Sequence, residues 1–389
     1  VHAGAARHAT YASGKRQRTT MILHVIDTLN RGGAERVLVD LTGALVPLLN
    51  ERIGVCTTRV PGVLATEVAP NVPHFTLNRS RRWDWGAIKR FRALLVREQV
   101  RIVHVHSRST LTFVAAAVFM QPKRPLIVMH DHFGGVLLPP RAQQLFRRLV
   151  RRYADHYVCV SEALRDWAIT SAGLPGDCCT VINNGVPISR FPERISRHAE
   201  GRHRRLQGVL VANLRAEKNH EALVRAMASS PDLRESVELH FVGGGDRSDV
   251  GRKLRSLVRE LGLESSIRFF GSIDQVATAM HTADFGIVAS TYEAGPVVAL
   301  EYMAAGRPYA TTPVGNIYSV ALKHGCCVAA RGTTADDLAH MLRRMCQLTN
   351  EERAAMGIRG RALVESRYSL ERQAAQVRDI YIGLSRRVT

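Results

Sequence analysis

Short apolar runs alternate along the chain with longer stretches whose apolar residues recur every three or four positions. Continuous apolar runs bounded by polar turns mark strands covered on both faces, and the three-to-four period marks helices laid against them. In the first half this pattern predicts strands over residues 21–27, 53–57, 102–105, 126–130 and 157–160, and a strand ending in a turn over 181–187. Helices are predicted over 34–49, 85–99 and 143–153. A polar, basic stretch without apolar period follows, and the pattern then restarts. Strands are predicted over 209–212, 237–242, 267–270, 284–289, 309–312 and 327–330, with helices over 220–228 and 251–261 between them. A last helix opens at Ser369, a good N-cap residue, and runs to Leu384.

Strand and helix in strict alternation predict parallel sheets. Two such arrays joined by one linker predict an α/β chain of two facing Rossmann-like domains, with ligand in the cleft at the carboxyl ends of the strands. The expected division is a tail over 1–20, a first domain over 21–187, a linker over 188–205, a second domain over 206–368 and a terminal helix over 369–389. The first twenty residues are polar and lack the apolar core of a secretory signal, so they are set aside from the fold as a disordered tail or an over-extended start.

Composition agrees with two full-sized cores: 389 residues, 46% hydrophobic, only 6% aromatic. Charge adds something new. The net charge is +20, and residues 1–200 hold 28 Lys and Arg against 14 Asp and Glu. A basic first half implies an anionic partner: a membrane surface, a nucleic acid or a phosphorylated substrate. The seven cysteines include two adjacent pairs and no CxxC, which points away from a disulfide framework or a zinc site and towards a reducing cytoplasm. The longest nearly apolar run, 111–120, is too short to span a bilayer, so a cytoplasmic protein, at most peripheral on the inner face of the membrane, is expected.

The most informative chemistry lies in residues 290–315, STYEAGPVVALEYMAAGRPYATTPVG. A predicted strand ends there in a polar turn, and a helix is expected to open with Pro296 at its first position. Glu293 and Glu301 bracket the first half of that helix, and the backbone N–H groups of Gly295, Val297 and Val298 at its start suit an anion. Two carboxylates thus flank a place fit for a phosphate. These residues, with MAAGRP behind them, resemble the paired-glutamate signature of retaining glycosyltransferase family 4. The family's usual Gly after the first Glu is Ala294 here, with Gly295 one place later.

The resemblance implies a GT-B fold, with the terminal helix crossing back onto the first domain. It implies that Glu293 touches the donor sugar and Glu301 the nucleotide ribose. Asn213-Leu214-Arg215-Ala216-Glu217-Lys218 resembles the family's diphosphate clamp, although the family more often has its Arg where Asn213 stands. Fixed cations there would stabilise charge on the leaving diphosphate. Gly32-Gly33-Ala34-Glu35 resembles the family's first loop, in which Gly33 lets backbone approach the donor. His130 matches the family's His-Asp position and is expected to meet the acceptor or the reacting sugar. Val160-Ser161-Glu162 and Asn183-Asn184-Gly185-Val186 match further landmarks, read as wall and hinge of the cleft.

Together these landmarks, spread over 21–384, predict a retaining transferase that moves sugar from a nucleotide-sugar donor to a glycan or lipid-linked acceptor, in cell-surface polysaccharide synthesis. Catalytic roles fall to His130 and Glu293. Donor binding falls to Gly33, Arg215, Lys218, Gly295, Pro296, Val297 and Glu301. No metal or other cofactor is expected: His104 and His106 share a strand face, but no carboxylate or Cys accompanies them at ligand spacing. Val242-Gly243-Gly244-Gly245 lacks the spacing of a dinucleotide fingerprint. The Arg-rich, Trp-bearing stretches 79–92 and 141–152 suit an anionic lipid surface, and no nucleic-acid module is visible. The alternatives are a sugar-nucleotide epimerase of the same architecture, or a basic binding protein without enzymatic activity.

Overall fold

The computed structural model describes residues 20–121, 123–133, 139–192 and 204–386. The predicted tail up to residue 19, residues 193–203 of the predicted linker and residues 387–389 lie outside the described residues.

The first sheet comprises β1 (Met21–Ile26), β2 (Arg52–Thr57), β3 (His74–Thr76), β4 (Val100–Val105), β5 (Leu126–Asp131), β6 (His156–Cys159) and β7 (Cys179–Val181). All are parallel, in the order β3-β2-β1-β4-β5-β6-β7. Its helices are α1 (Gly33–Leu45), α2 (Trp85–Arg97), α3 (Arg108–Val118), α4 (Pro140–Tyr153) and α5 (Glu162–Asp166). The central strand β1, MILHVI, is buried at every position, as a strand covered by helices on both faces must be.

The second sheet comprises β8 (Leu206–Val211), β9 (Val237–Val242), β10 (Ile267–Gly271), β11 (Phe285–Val288), β12 (Tyr309–Thr311) and β13 (Cys327–Ala329), parallel in the order β10-β9-β8-β11-β12-β13. Around it lie α6 (His220–Ala228), α7 (Pro231–Ser236), α8 (Asp249–Glu260), α9 (Val276–Thr282), α10 (Val297–Ala304), α11 (Ile317–Lys323) and α12 (Ala335–Gln347). In each sheet the strand order reverses once, between β1 and β4 and between β8 and β11. Loops diverge at those points and leave a crevice.

Two further helices follow, α13 (Asn350–Arg367) and α14 (Leu370–Arg386). Thr349 and Glu352 form a capping box that fixes the start of α13. Leu363 and Val364 of α13 pack into the second domain beside Met303 and Ala304. The chain then turns at Tyr368 and Ser369, whose backbone pairs with Val186 of the first domain. Ser369 Oγ accepts from Arg372 N at 3.3 Å, as an N-cap does. Ala374, Val377, Tyr381 and Leu384 of α14 then join the apolar cluster of α1 in the first domain.

Three local expectations need correction. β3 was not predicted, because three half-buried residues at a sheet edge leave no apolar run. Residues 181–187 are mostly connection: β7 ends at Val181, and Gly185 packs directly against the Ser369 backbone. Pro296 is the N-cap of α10, in extended conformation (φ −68°, ψ 103°), so Val297 is the first helical residue.

Candidate active site

Between β11 and α10 the apolar run Phe285–Val288 gives way to Ser290, Thr291 and Gly295, which can turn sharply. Gly315 backs this turn with φ +77°, and a β-carbon there would meet Pro296 Cδ at 2.5 Å, so only glycine fits. The turn aims Glu293 at the loop after β8. Glu293 Oε1 receives Lys218 Nζ at 2.5 Å and Ser290 Oγ at 2.8 Å. Lys218 ends a single 3-10 turn, closed by Asn219 in the left-handed conformation at φ 58°. Thr291 N donates to Glu217 O at 2.9 Å and so ties the two loops together. Lys218, Ser290, Glu293 and Val298 line one recess beneath the start of α10.

Glu301 stands one helical turn into α10, on the side that faces Arg190, Asp40 and Arg36. Burial pushes its carboxyl above the usual range, with Arg190 as the strongest opposing influence. Asp40, the other acid in this group, takes Arg190 in a two-pronged pair.

The first domain supplies the opposite wall. A β-carbon on Gly33 would lie 3.9 Å from Val297 Cγ2, so the Gly-Gly turn faces the start of α10 at van der Waals distance. Asn213 Nδ2 donates to Arg31 O at 2.9 Å, while Asn213 Oδ1 accepts from Gly244 N at 2.9 Å. One side chain therefore fixes the first-domain loop to two loops of the second domain. Arg31 also pairs with Asp274. Tyr292 OH donates to Phe133 O at 3.0 Å, and Asn184 Nδ2 donates to Gly295 O at 2.9 Å. Asn316 Nδ2 donates to Val160 O at 2.6 Å and to Asn183 Oδ1 at 2.7 Å. The landmarks around Val160 and Asn183 thus meet the turn that carries Glu293.

Two site residues lie differently from expectation. Arg215 does not join Lys218. Its side chain is 63% exposed, lies 3.9 Å from Glu217, and is the charge that opposes the burial of Glu35 across the cleft. Asn213 occupies the place where the clamp Arg was looked for, and it joins backbone to backbone instead. His130 is fully buried rather than open to the cleft. Its Nδ1 lies 3.2 Å from His104 Nε2, and its Nε2 has no partner. Burial drives its pKa well below the ordinary histidine value, so the ring is neutral at physiological pH and cannot act there as a cation.

His130 belongs to a stack that the sequence did not reveal. His24 of β1, His104 and His106 at the end of β4, and His130 and His132 at the end of β5 lie on adjacent strands with ring centroids 4.3–5.4 Å apart. Tyr381 of α14 adds its hydroxyl, 3.0 Å from His24 Nε2 and hydrogen-bonded to His104 Nδ1. The alternation of His at two-residue spacing was a visible signal. Only the strand order β1-β4-β5 makes these residues neighbours. Asn213, Tyr292 and Asn316 carried no such signal, since an amide or phenol in a loop is commonplace.

Comparison with known proteins agrees with this arrangement. Residues 31–190 match the model of Glycosyltransferase Family 4, and residues 195–363 match that of Glycosyl transferases group 1. An uncharacterized glycosyltransferase of Methanocaldococcus jannaschii is 30% identical over 177 residues, 43% of this chain and 44% of its own length. A D-inositol 3-phosphate glycosyltransferase of Catenulispora acidiphila is 26% identical over 268 residues, 66% of this chain and 59% of its own. The matches thus span about half of these relatives' length. The crystal structure of Anabaena HepE in complex with UDP and glucose superposes with a TM-score of 0.78 at 21% identity, covering 92% of this chain and 98% of that one.

Proposed function

This chain belongs to the family 4 type of glycosyltransferases and has their GT-B fold, and from that premise we propose that it transfers sugar from a nucleotide-sugar donor to a glycan or lipid-linked acceptor, with retention at the anomeric carbon. The observation that carries the reading is the Lys218–Glu293 pair at the start of α10, facing the Gly33 turn of the other domain. The N–H groups of Val297 and Val298 and the Lys218 ammonium together offer a diphosphate both hydrogen bonds and charge. Glu293 is held by Lys218 and Ser290 and presents a carboxylate to donor-sugar hydroxyls. Glu301 serves the ribose. Arg215, on its exposed side chain, follows the phosphate from solvent, and Gly295 with Pro296 shapes the turn. His130, fully buried, takes no direct part in this step. Departure of the diphosphate on the acceptor's own face would let its oxygen collect the acceptor proton. No metal is required for this step, because Lys218 and the helix start provide the positive field.

Structural neighbours support a UDP-sugar as the first donor to try, since the crystal structures of HepE hold UDP with glucose and UDP-glucose. The basic first domain supports an acceptor at an anionic membrane surface on the cytoplasmic side. The face involved is smaller than the sequence suggested. Phe146 and Val150 of α4 are buried in the core, so that helix shows solvent an arginine face with Leu145 as its one exposed large apolar side chain. Trp83 and Trp85 are 53% and 70% exposed beside Arg82, and Phe119 and Met120 are also exposed. No described helix is long and apolar enough to cross a membrane.

The test is transfer from radiolabelled UDP-, GDP- and ADP-sugars to a membrane extract, with Lys218→Ala and Glu293→Gln. Loss of a group that faces developing charge typically costs about 10²–10³-fold in kcat. Losses of that order, with circular dichroism unchanged, support the reading. Full transfer in both variants contradicts it. Isomerised donor without any labelled acceptor would move the assignment to an epimerase.

A further inference from the structure

We propose that His106, His130 and His132 form a binding site for a borderline divalent transition metal, with Zn2+ as the reference ion. One ring nitrogen of each lies within 4.8 Å of one ring nitrogen of the other two. His106 Nδ1 and His132 Nε2 are 3.1 Å apart. Two imidazole nitrogens bound to the same tetrahedral zinc sit about 3.3 Å from each other, so little movement is needed.

The independent observation is an orphaned atom. A neutral imidazole donates once and accepts once. The contacts here thread a single file: His132 to His106, His106 to His24, His24 to Tyr381, Tyr381 to His104 and His104 to His130. The file can run in either polarity. In both, it ends at His130 Nε2, which is buried and without a partner. An unmet buried polar atom costs about 1–3 kcal/mol. A cation that takes its lone pair removes that cost and leaves His130 Nδ1 to donate to His104.

The surroundings fit a metal of this class. Three imidazoles with no carboxylate suit Zn2+, Ni2+ or Cu2+ and do not suit Mg2+ or Ca2+, which want oxygen. Ligating histidines are usually held by a hydrogen bond on the other ring nitrogen. Here His104 holds His130 and His24 holds His106, and both arms close on the Tyr381 hydroxyl. With metal bound, both arms donate towards the tyrosine oxygen. His132 is only partly buried and gives the ion an entry. The site stands independently of sugar transfer.

The experiment is titration of the intact chain with Co2+ and then Zn2+, followed by visible absorption and calorimetry. One cobalt per chain with the absorption of a low-coordinate imidazole site, displaced by one zinc, is expected. His132→Ala, with the fold checked by circular dichroism, should abolish that absorption. Tyr381→Phe should weaken binding about 10–100-fold, as loss of a supporting hydrogen bond does. No stoichiometric cobalt, or binding that His132→Ala leaves unchanged, overturns the proposal. The second outcome would place the ion elsewhere, including the inner group of His24, His104 and His106.

Discussion

Glu301 shows how burying a single charged side chain works against stability. Its carboxyl is raised by burial, so the fold disfavours the ionised form. At low pH both folded and unfolded chains hold the proton and no penalty exists. As pH rises past the ordinary carboxylate value the unfolded chain ionises first, and the penalty is complete above the folded-state pKa. Glu301→Gln should therefore melt higher than the wild type at neutral pH, with the advantage fading near pH ~4, while nucleotide affinity falls. Thermal scans at the two pH values check the first part, and equal melting throughout would contradict it. The pairing of two acids with seven residues between them was legible in sequence, but its distance was not, because only the stretch from Val297 to Glu301 is helical. The partner of Glu293 was legible only as a type, a Lys after a strand. That Arg215 turns to solvent while Asn213 crosses the cleft depends on loop geometry that no spacing rule encodes.

Among elements, the buried strands were readable because both faces are covered and their positions are almost all apolar; β1, apolar except for His24, and β11 are the clearest cases. The edges of the first sheet were not: β3 is three half-buried residues without an apolar run, and β7 ends at Val181, where the predicted strand began. α14 was predicted from its cap and period, but its consequence was not: Tyr381 reaches under β1 and β4 to the histidines. Tyr381→Phe would leave His24 Nε2 and His104 Nδ1 without that shared hydroxyl. A loss of about 1–3 kcal/mol is expected, read by denaturant unfolding of the first domain. No change in midpoint would mean that the two rings find each other instead.

At the scale of the molecule, two sheets each present a reversal point, and the loops from both meet around α10. Hydrogen bonds from Asn213, Tyr292, Asn184 and Asn316 hold the domains together there. The first domain's charge and its exposed Trp83 and Trp85 predict binding to vesicles rich in anionic lipid, lost at high salt and reduced by replacing both tryptophans with Ser. Equal binding to neutral vesicles would contradict that. The central claim is that this cleft receives a nucleoside diphosphate on Lys218 and the α10 start. Calorimetric titration of the intact chain with UDP, GDP and ADP tests it most directly. One of the three should bind at one site per chain, and Lys218→Ala should weaken it by a factor of about 10 or more, the equivalent of 1.4 kcal/mol for a charge-assisted contact. Binding of none of them, or binding untouched by the loss of Lys218, would contradict the account.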